Sequence, residues 1–121
     1  QHAVRAGRSV AAGIVDGATA DNAPARARGE LGHVGLVVGA TVGSAVQDLD
    51  IDLAASAAPI LAPGLGAQGA TGEDLRRVFG EALPQVLPNA SRSILAAGPS
   101  MTALRAAAHR EAGALAGLLR A

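Results

Sequence analysis

Ala58-Pro59-Ile60-Leu61-Ala62-Pro63-Gly64-Leu65-Gly66-Ala67-Gln68-Gly69 is the stretch whose reading decides the fold. Its first five residues are short, apolar and bounded by proline, which suits a buried strand. A glycine-rich turn with a single glutamine follows and runs into Thr71-Gly72-Glu73-Asp74, a helix start with carboxylates in its first turn. Backbone this rich in glycine can approach an anion closely and aim several N–H groups at it.

The same strand-then-helix rhythm extends to both sides. Upstream, His33-Val34-Gly35-Leu36-Val37-Val38-Gly39-Ala40-Thr41 is a nearly continuous valine-rich run, the pattern of a strand buried on both faces. Ser44 is positioned to cap a helix over 45–56 with Val46, Leu49, Leu53 and Ala54 as its apolar positions. Downstream, 72–82 reads as a helix through Leu75, Val78, Phe79 and Leu83. Residues 85–89 read as a third strand, weakened by Pro84 and Pro88. Ser93–Ala97 starts a short helix that Gly98-Pro99 breaks. The last helix covers 100–120 with Met101, Leu104, Ala108, Ala112, Leu115 and Leu119 on one stripe. At the other end, Val4, Val10, Ile14, Val15 and Ala18 predict a helix over 3–20, stopped by Asp21-Asn22-Ala23-Pro24, with a polar loop over 21–32.

The order is helix, three strand–helix units with strands near 33–40, 58–62 and 85–89, and a terminal helix. Such alternation implies right-handed βαβ units and an α/β fold with a parallel sheet. Three strands fall short of a closed (β/α)8 barrel, which typically takes ~250 residues. They suffice for its last three βα units plus the preceding helix, so 1–121 reads as the C-terminal part of one barrel domain.

Composition narrows the chemistry. Half of the 121 residues are hydrophobic, but aromatics amount to one phenylalanine, so the core is aliphatic. Ten arginines balance ten carboxylates and there is no lysine, so any step that needs a lysine is not carried by these residues. The balanced charge, without a basic patch, argues against nucleic acid as a partner. The lack of cysteine excludes disulfides, thiolate metal sites and cysteine nucleophiles, and fits a reducing, cytoplasmic setting. No apolar run approaches the ~18 residues of a membrane span, and Gln1-His2-Ala3-Val4-Arg5 lacks a signal-peptide pattern. The sequence begins without methionine and reads as a fragment or processed product.

Two constellations carry functional weight. In the first, Gly64, Gly66 and Gly69 fit G-x-G-x-x-G, but a dinucleotide site also needs an acid after the next strand. Val86-Leu87-Pro88-Asn89 supplies none. The second is Asn89-Ala90-Ser91-Arg92. It is either a solvated turn with a helix cap or, if 58–62 and 85–89 are the last two barrel strands, half of a phosphate site. Arginine's planar fork suits two phosphate oxygens, and Gln68 and Arg92 would then project from adjacent strand ends. His2, His33 and His109 lie in unrelated contexts without metal-ligand spacing. Asp48, Asp50 and Asp52 alternate but lack the glycine and terminal glutamate of a calcium loop, which leaves a solvated helix face. Ser9 and Ser91 have no His-plus-acid arrangement beside them.

Gly32–Thr41 (GHVGLVVGAT), Pro59–Gly69 (PILAPGLGAQG) and Pro88–Leu95 (PNASRSIL) together resemble the C-terminal part of the orotidine 5′-phosphate decarboxylase family, in its long actinobacterial form. The likeness covers nearly the whole chain and includes the tail at Leu104-Arg105-Ala106-Ala107. It implies a (β/α)8 barrel that converts orotidine monophosphate to UMP and CO2 in pyrimidine biosynthesis, with no cofactor, as a homodimer. On the matching positions it implies that Gln68 bridges phosphate and pyrimidine and that Arg92 clamps the phosphate. Backbone N–H groups around Gly66, Gly69 and Ser91-Arg92 would complete the cradle. The family's Asp-x-Lys-x-x-Asp motif, whose lysine protonates the C6 carbanion, has no counterpart here. The resemblance therefore places no catalytic residue in this chain and implies that it is inactive alone. The alternatives are a non-enzymatic phosphate-ligand module and an inactive truncated relic.

Overall fold

The computed structural model describes residues 4–5, 8–39, 46, 51–64 and 71–119. Helix α1 spans Val10–Ala27. It begins later than the sequence pattern suggests because Ser9 is the N-cap: its hydroxyl oxygen accepts the Ala12 N–H at 3.0 Å. The residues before it pair instead as a small antiparallel ladder, β1 (Val4–Arg5) against β2 (Arg8–Ser9). The helix also ends later. Pro24 lies inside it, and the terminus is a Schellman cap, in which Gly29 N–H donates to Arg26 O and Glu30 N–H to Ala25 O. Gly29 takes φ 73°, the left-handed conformation this cap requires. The expected stop and the loop over 21–32 are thus corrected to a helix that runs to Ala27.

The buried face of α1 also differs from the expected stripe. It is Ala12, Val15, Ala18, Asn22 and Ala25, whereas Val10 and Ile14 face solvent. Asn22 does not break the helix because its side chain has a tertiary role. Its amide donates to Val34 O at 2.8 Å and Ser56 O at 3.0 Å, and its oxygen accepts Val34 N–H at 3.0 Å. These bonds use both backbone groups of Val34. The strand expected over 33–40 is accordingly shorter, β3 at Leu36–Val37.

Strands β3, β4 (Ile60–Ala62) and β5 (Val86–Pro88) form a parallel sheet in chain order, with Leu36 opposite Ile60 and Ile60 opposite Val86. Leu36 N–H to Pro59 O, Val38 N–H to Leu61 O and Asn89 N–H to Ala62 O extend the ladder. Between β3 and β4, Val46 is helical and buried, and residues 54–56 form a 3₁₀ turn. Ser44 and Leu49 lie outside the described residues. Asp52 sits outside any helix and accepts the Ala55 N–H at 3.0 Å, capping that turn instead of lining a helix face.

Helix α2 (Gly72–Phe79) opens with a capping box. Thr71 Oγ1 accepts the Asp74 N–H at 3.3 Å, and Asp74 Oδ2 accepts the Thr71 N–H at 2.7 Å. Asp74 also pairs with Arg77. The α-helix ends at Phe79 and gives way to a 3₁₀ stretch, Gly80–Gln85, whose Gln85 amide donates to Ala58 O at 2.9 Å. Helix α3 (Arg92–Leu95) and helix α4 (Met101–Leu119) complete the chain. The stripe predicted for α4 is corrected. Met101, Ala108 and Ala112 are exposed, Leu104 and Leu115 half-buried, and Ala107 buried. Alanine-rich helices have little apolar contrast between faces, so periodicity does not orient them.

The core joins one face of the sheet to the helices. Ile60, Ala62 and Val86 pack with Val15, Val46, Leu53, Leu75, Val78, Phe79 and Ala82. The opposite face is open, contrary to the strands' expected burial on both sides. Val37, Leu61 and Leu87 lie side by side across it and are 69%, 39% and 58% exposed. No helix among the described residues is long and apolar enough to cross a membrane.

Candidate functional site

The C-terminal ends of β4 and β5 lie side by side. Asn89 N–H donates to Ala62 O at 3.0 Å, so the residues following β5 start against the residue from which the glycine-rich turn departs. Pro63 and Gly64 follow Ala62, and Gly64 takes φ 109°, which favours glycine. Gly66, Gln68 and Gly69 lie outside the described residues, as does most of the G-x-G-x-x-G stretch.

The β5 side of the site is described. Ser91 occupies the N-cap position of α3 but makes no capping bond with its side chain. Its hydroxyl instead donates to Asn89 Oδ1 at 3.3 Å. The Arg92 side chain is exposed, and among the described residues no carboxylate forms a salt bridge with it. The next residue, Ser93, has a buried Oγ without a hydrogen-bond partner. Among the described residues the arrangement offers a guanidinium without a carboxylate partner, and a first helical turn without a side-chain cap, next to the end of β4. Sequence reasoning singled out the cluster Asn89-Ala90-Ser91-Arg92, with Ser91 and Arg92 as its site residues, but missed Ser93 and the anchoring bond of Asn89. Nothing in residue type distinguishes an anchoring asparagine from a turn asparagine.

The other candidates stay apart. His33 and His109 are exposed on separate elements, and no metal-holding group of side chains occurs among the described residues. His2, Asp48 and Asp50 fall outside them.

Comparison with known proteins gives this geometry a context. The chain is 58% identical over 104 residues to the orotidine 5′-phosphate decarboxylase of Salinispora arenicola, covering 86% of this chain. The chain is homologous to the C-terminal part of the orotidine 5′-phosphate decarboxylases. The decarboxylase of Streptomyces coelicolor is 54% identical over 114 residues, 91% of this chain, and that of Corynebacterium glutamicum is 40% identical over 99 residues, 82% of this chain. These matches take in 35%, 37% and 34% of the respective decarboxylases, so the chain spans about a third of the length of the curated relatives it matches. No family model matches the chain, and no solved structure does.

Proposed function

We propose that this chain forms the last three βα units of a (β/α)8 barrel and carries the phosphate-binding part of an orotidine 5′-phosphate decarboxylase site. The observation that carries the reading is the bond from Asn89 N–H to Ala62 O, which sets the Ser91–Arg92 corner beside the start of the glycine turn. Barrels of this kind often bind phosphate with the loops after their last two strands and a short extra helix, and α3 is such a helix. The row Val37–Leu61–Leu87 fits as well, since an open apolar sheet face is what barrel closure turns inward.

Within this reading Arg92 grips the phosphate. Gln68 spans phosphate and pyrimidine, and the N–H groups of Gly66, Gly69, Ser91 and Arg92 surround the phosphate oxygens. Binding energy from this remote dianion serves to organise the site around the reacting ring. The decarboxylation itself requires an amine to protonate the C6 carbanion. This chain has no lysine, so it binds without turning over. The whole enzyme would be a cytoplasmic homodimer acting on orotidine monophosphate without a cofactor.

Calorimetric titration of the 121-residue chain with UMP and with uridine tests the binding role. Heat with UMP but not with uridine is the expected result, and Arg92→Ala should weaken UMP binding by at least tenfold, the scale of one charge-assisted hydrogen bond. No heat at millimolar UMP would rule the reading out. Orotidine monophosphate absorbance should stay constant with the chain alone.

A further inference from the structure

Asn89 is the last residue held by the sheet and the first to touch the phosphate corner. Its main chain donates to Ala62 O at the end of β4. Its side-chain oxygen accepts the hydroxyl of Ser91. A serine at an N-cap position ordinarily turns its oxygen onto the first-turn amides of its own helix. Ser91 makes no such bond: its backbone stands at φ −124° and ψ −64°, outside the extended region of a capping residue, and its hydroxyl donates to Asn89 Oδ1 at 3.3 Å. On its other side, Ser91 O accepts the N–H of Leu95 at 2.9 Å. The step from Ser91 to Arg92 is therefore held from the sheet by Asn89 and from the helix by Leu95.

We infer that Asn89 is a positioning residue for the phosphate site: through Ser91 it sets where Arg92 leaves the end of β5. This rests on the phosphate-binding reading above. Take away the acceptor, and the Ser91–Arg92 step loses its side-chain tie to Asn89 and is held by the Leu95 bond. Asp at this position keeps an acceptor at the same distance from the backbone, so it should hold the corner, whereas Ala should not.

The experiment uses the whole 121-residue chain, unsubstituted and as Asn89→Ala, Asn89→Asp, Ser91→Ala and the Asn89→Ala/Ser91→Ala double variant. UMP is the probe. Backbone amide NMR signals of Ser91 and Arg92 provide a second readout, and thermal melting controls for folding. Asn89→Ala should weaken UMP about tenfold, on the scale of one lost hydrogen bond, and shift both amide signals while the melting temperature stays close to the unsubstituted value. Ser91→Ala should weaken UMP to a similar degree, and the double variant should be no weaker than either single one. Asn89→Asp should leave both amide signals in place. Additive losses, or Asn89→Ala with unchanged amide signals, would overturn the inference. If the unsubstituted chain takes up no UMP, the phosphate reading fails, and the positioning role is then decided by the amide signals of the Asn89→Ala and Asn89→Asp variants alone.

Discussion

Replacing Asn22 with alanine should be among the most damaging single changes to this chain. Asn22 is 1% exposed and makes three hydrogen bonds to backbone atoms distant in sequence. Two go to Val34, which is 38% exposed and whose freed N–H and C=O can recruit water. Their loss costs the low end of the net value of two hydrogen bonds, about 1 kcal/mol together, because both freed groups lie near the surface. The third goes to Ser56 O, whose residue is 0% exposed. A stranded buried carbonyl costs about 2 kcal/mol. The expected loss is therefore about 3 kcal/mol, a large share of the 5–15 kcal/mol typical of a domain. Asn22→Asp should cost at least as much, because it sets a carboxylate oxygen against the carbonyls of Val34 and Ser56. Urea denaturation followed by far-UV circular dichroism measures this, provided the slope of the transition is unchanged. A loss below ~1 kcal/mol for Asn22→Ala would refute the claim that these bonds anchor α1 to the β3 side of the sheet.

Three further outcomes follow from the packing. Gly32→Ala should destabilise about as much as Asn22→Ala, since a β-carbon at position 32 would overlap the Asn22 side chain; a double variant should add little, because both changes remove the same contact. Thr71→Ala should cost about 1 kcal/mol by opening the capping box of α2, read from the same denaturation curves. The open row Val37–Leu61–Leu87 should make the isolated chain self-associate in sedimentation velocity, and Leu87→Ser should reduce this with little change in melting temperature, because Leu87 does not belong to the core.

The parts of the fold that were legible in the sequence are those set by local rules. The three parallel strands fall within the apolar runs over 33–40, 58–62 and 85–89, each shorter than its run, and Thr71 with Asp74 announces α2 in four residues. Misreadings occur where a distant partner decides. Asn22-Ala23-Pro24 has the local chemistry of a stop, yet Asn22 finds Val34 and Ser56 and the helix continues past it. The stop the structure uses, Gly29 at φ 73°, lies inside the stretch read as a polar loop. Val34 has the residue type of a strand interior, but Asn22 takes both its backbone groups. At the site, the cluster Asn89–Arg92 is marked by its chemistry, whereas the anchoring role of Asn89 depends on Ala62, a neighbour in space.

The in-order parallel sheet has a kinetic consequence. The register separates Leu36 from Ile60 by 24 residues and Ile60 from Val86 by 26. The two loop closures therefore differ in entropic cost by only ~0.1 kcal/mol, and chain length gives neither pairing a lead. Burial breaks the tie. Pairing β4 with β5 brings Ile60, Ala62 and Val86 together under Leu75, Val78 and Phe79, whereas β3 adds the half-buried Leu36 and Val38. The predicted folding nucleus is thus β4–α2–β5, with β3 and α1 docking afterwards. Substitutions at Ile60 or Leu75 should slow folding, and those at Leu36 should chiefly speed unfolding.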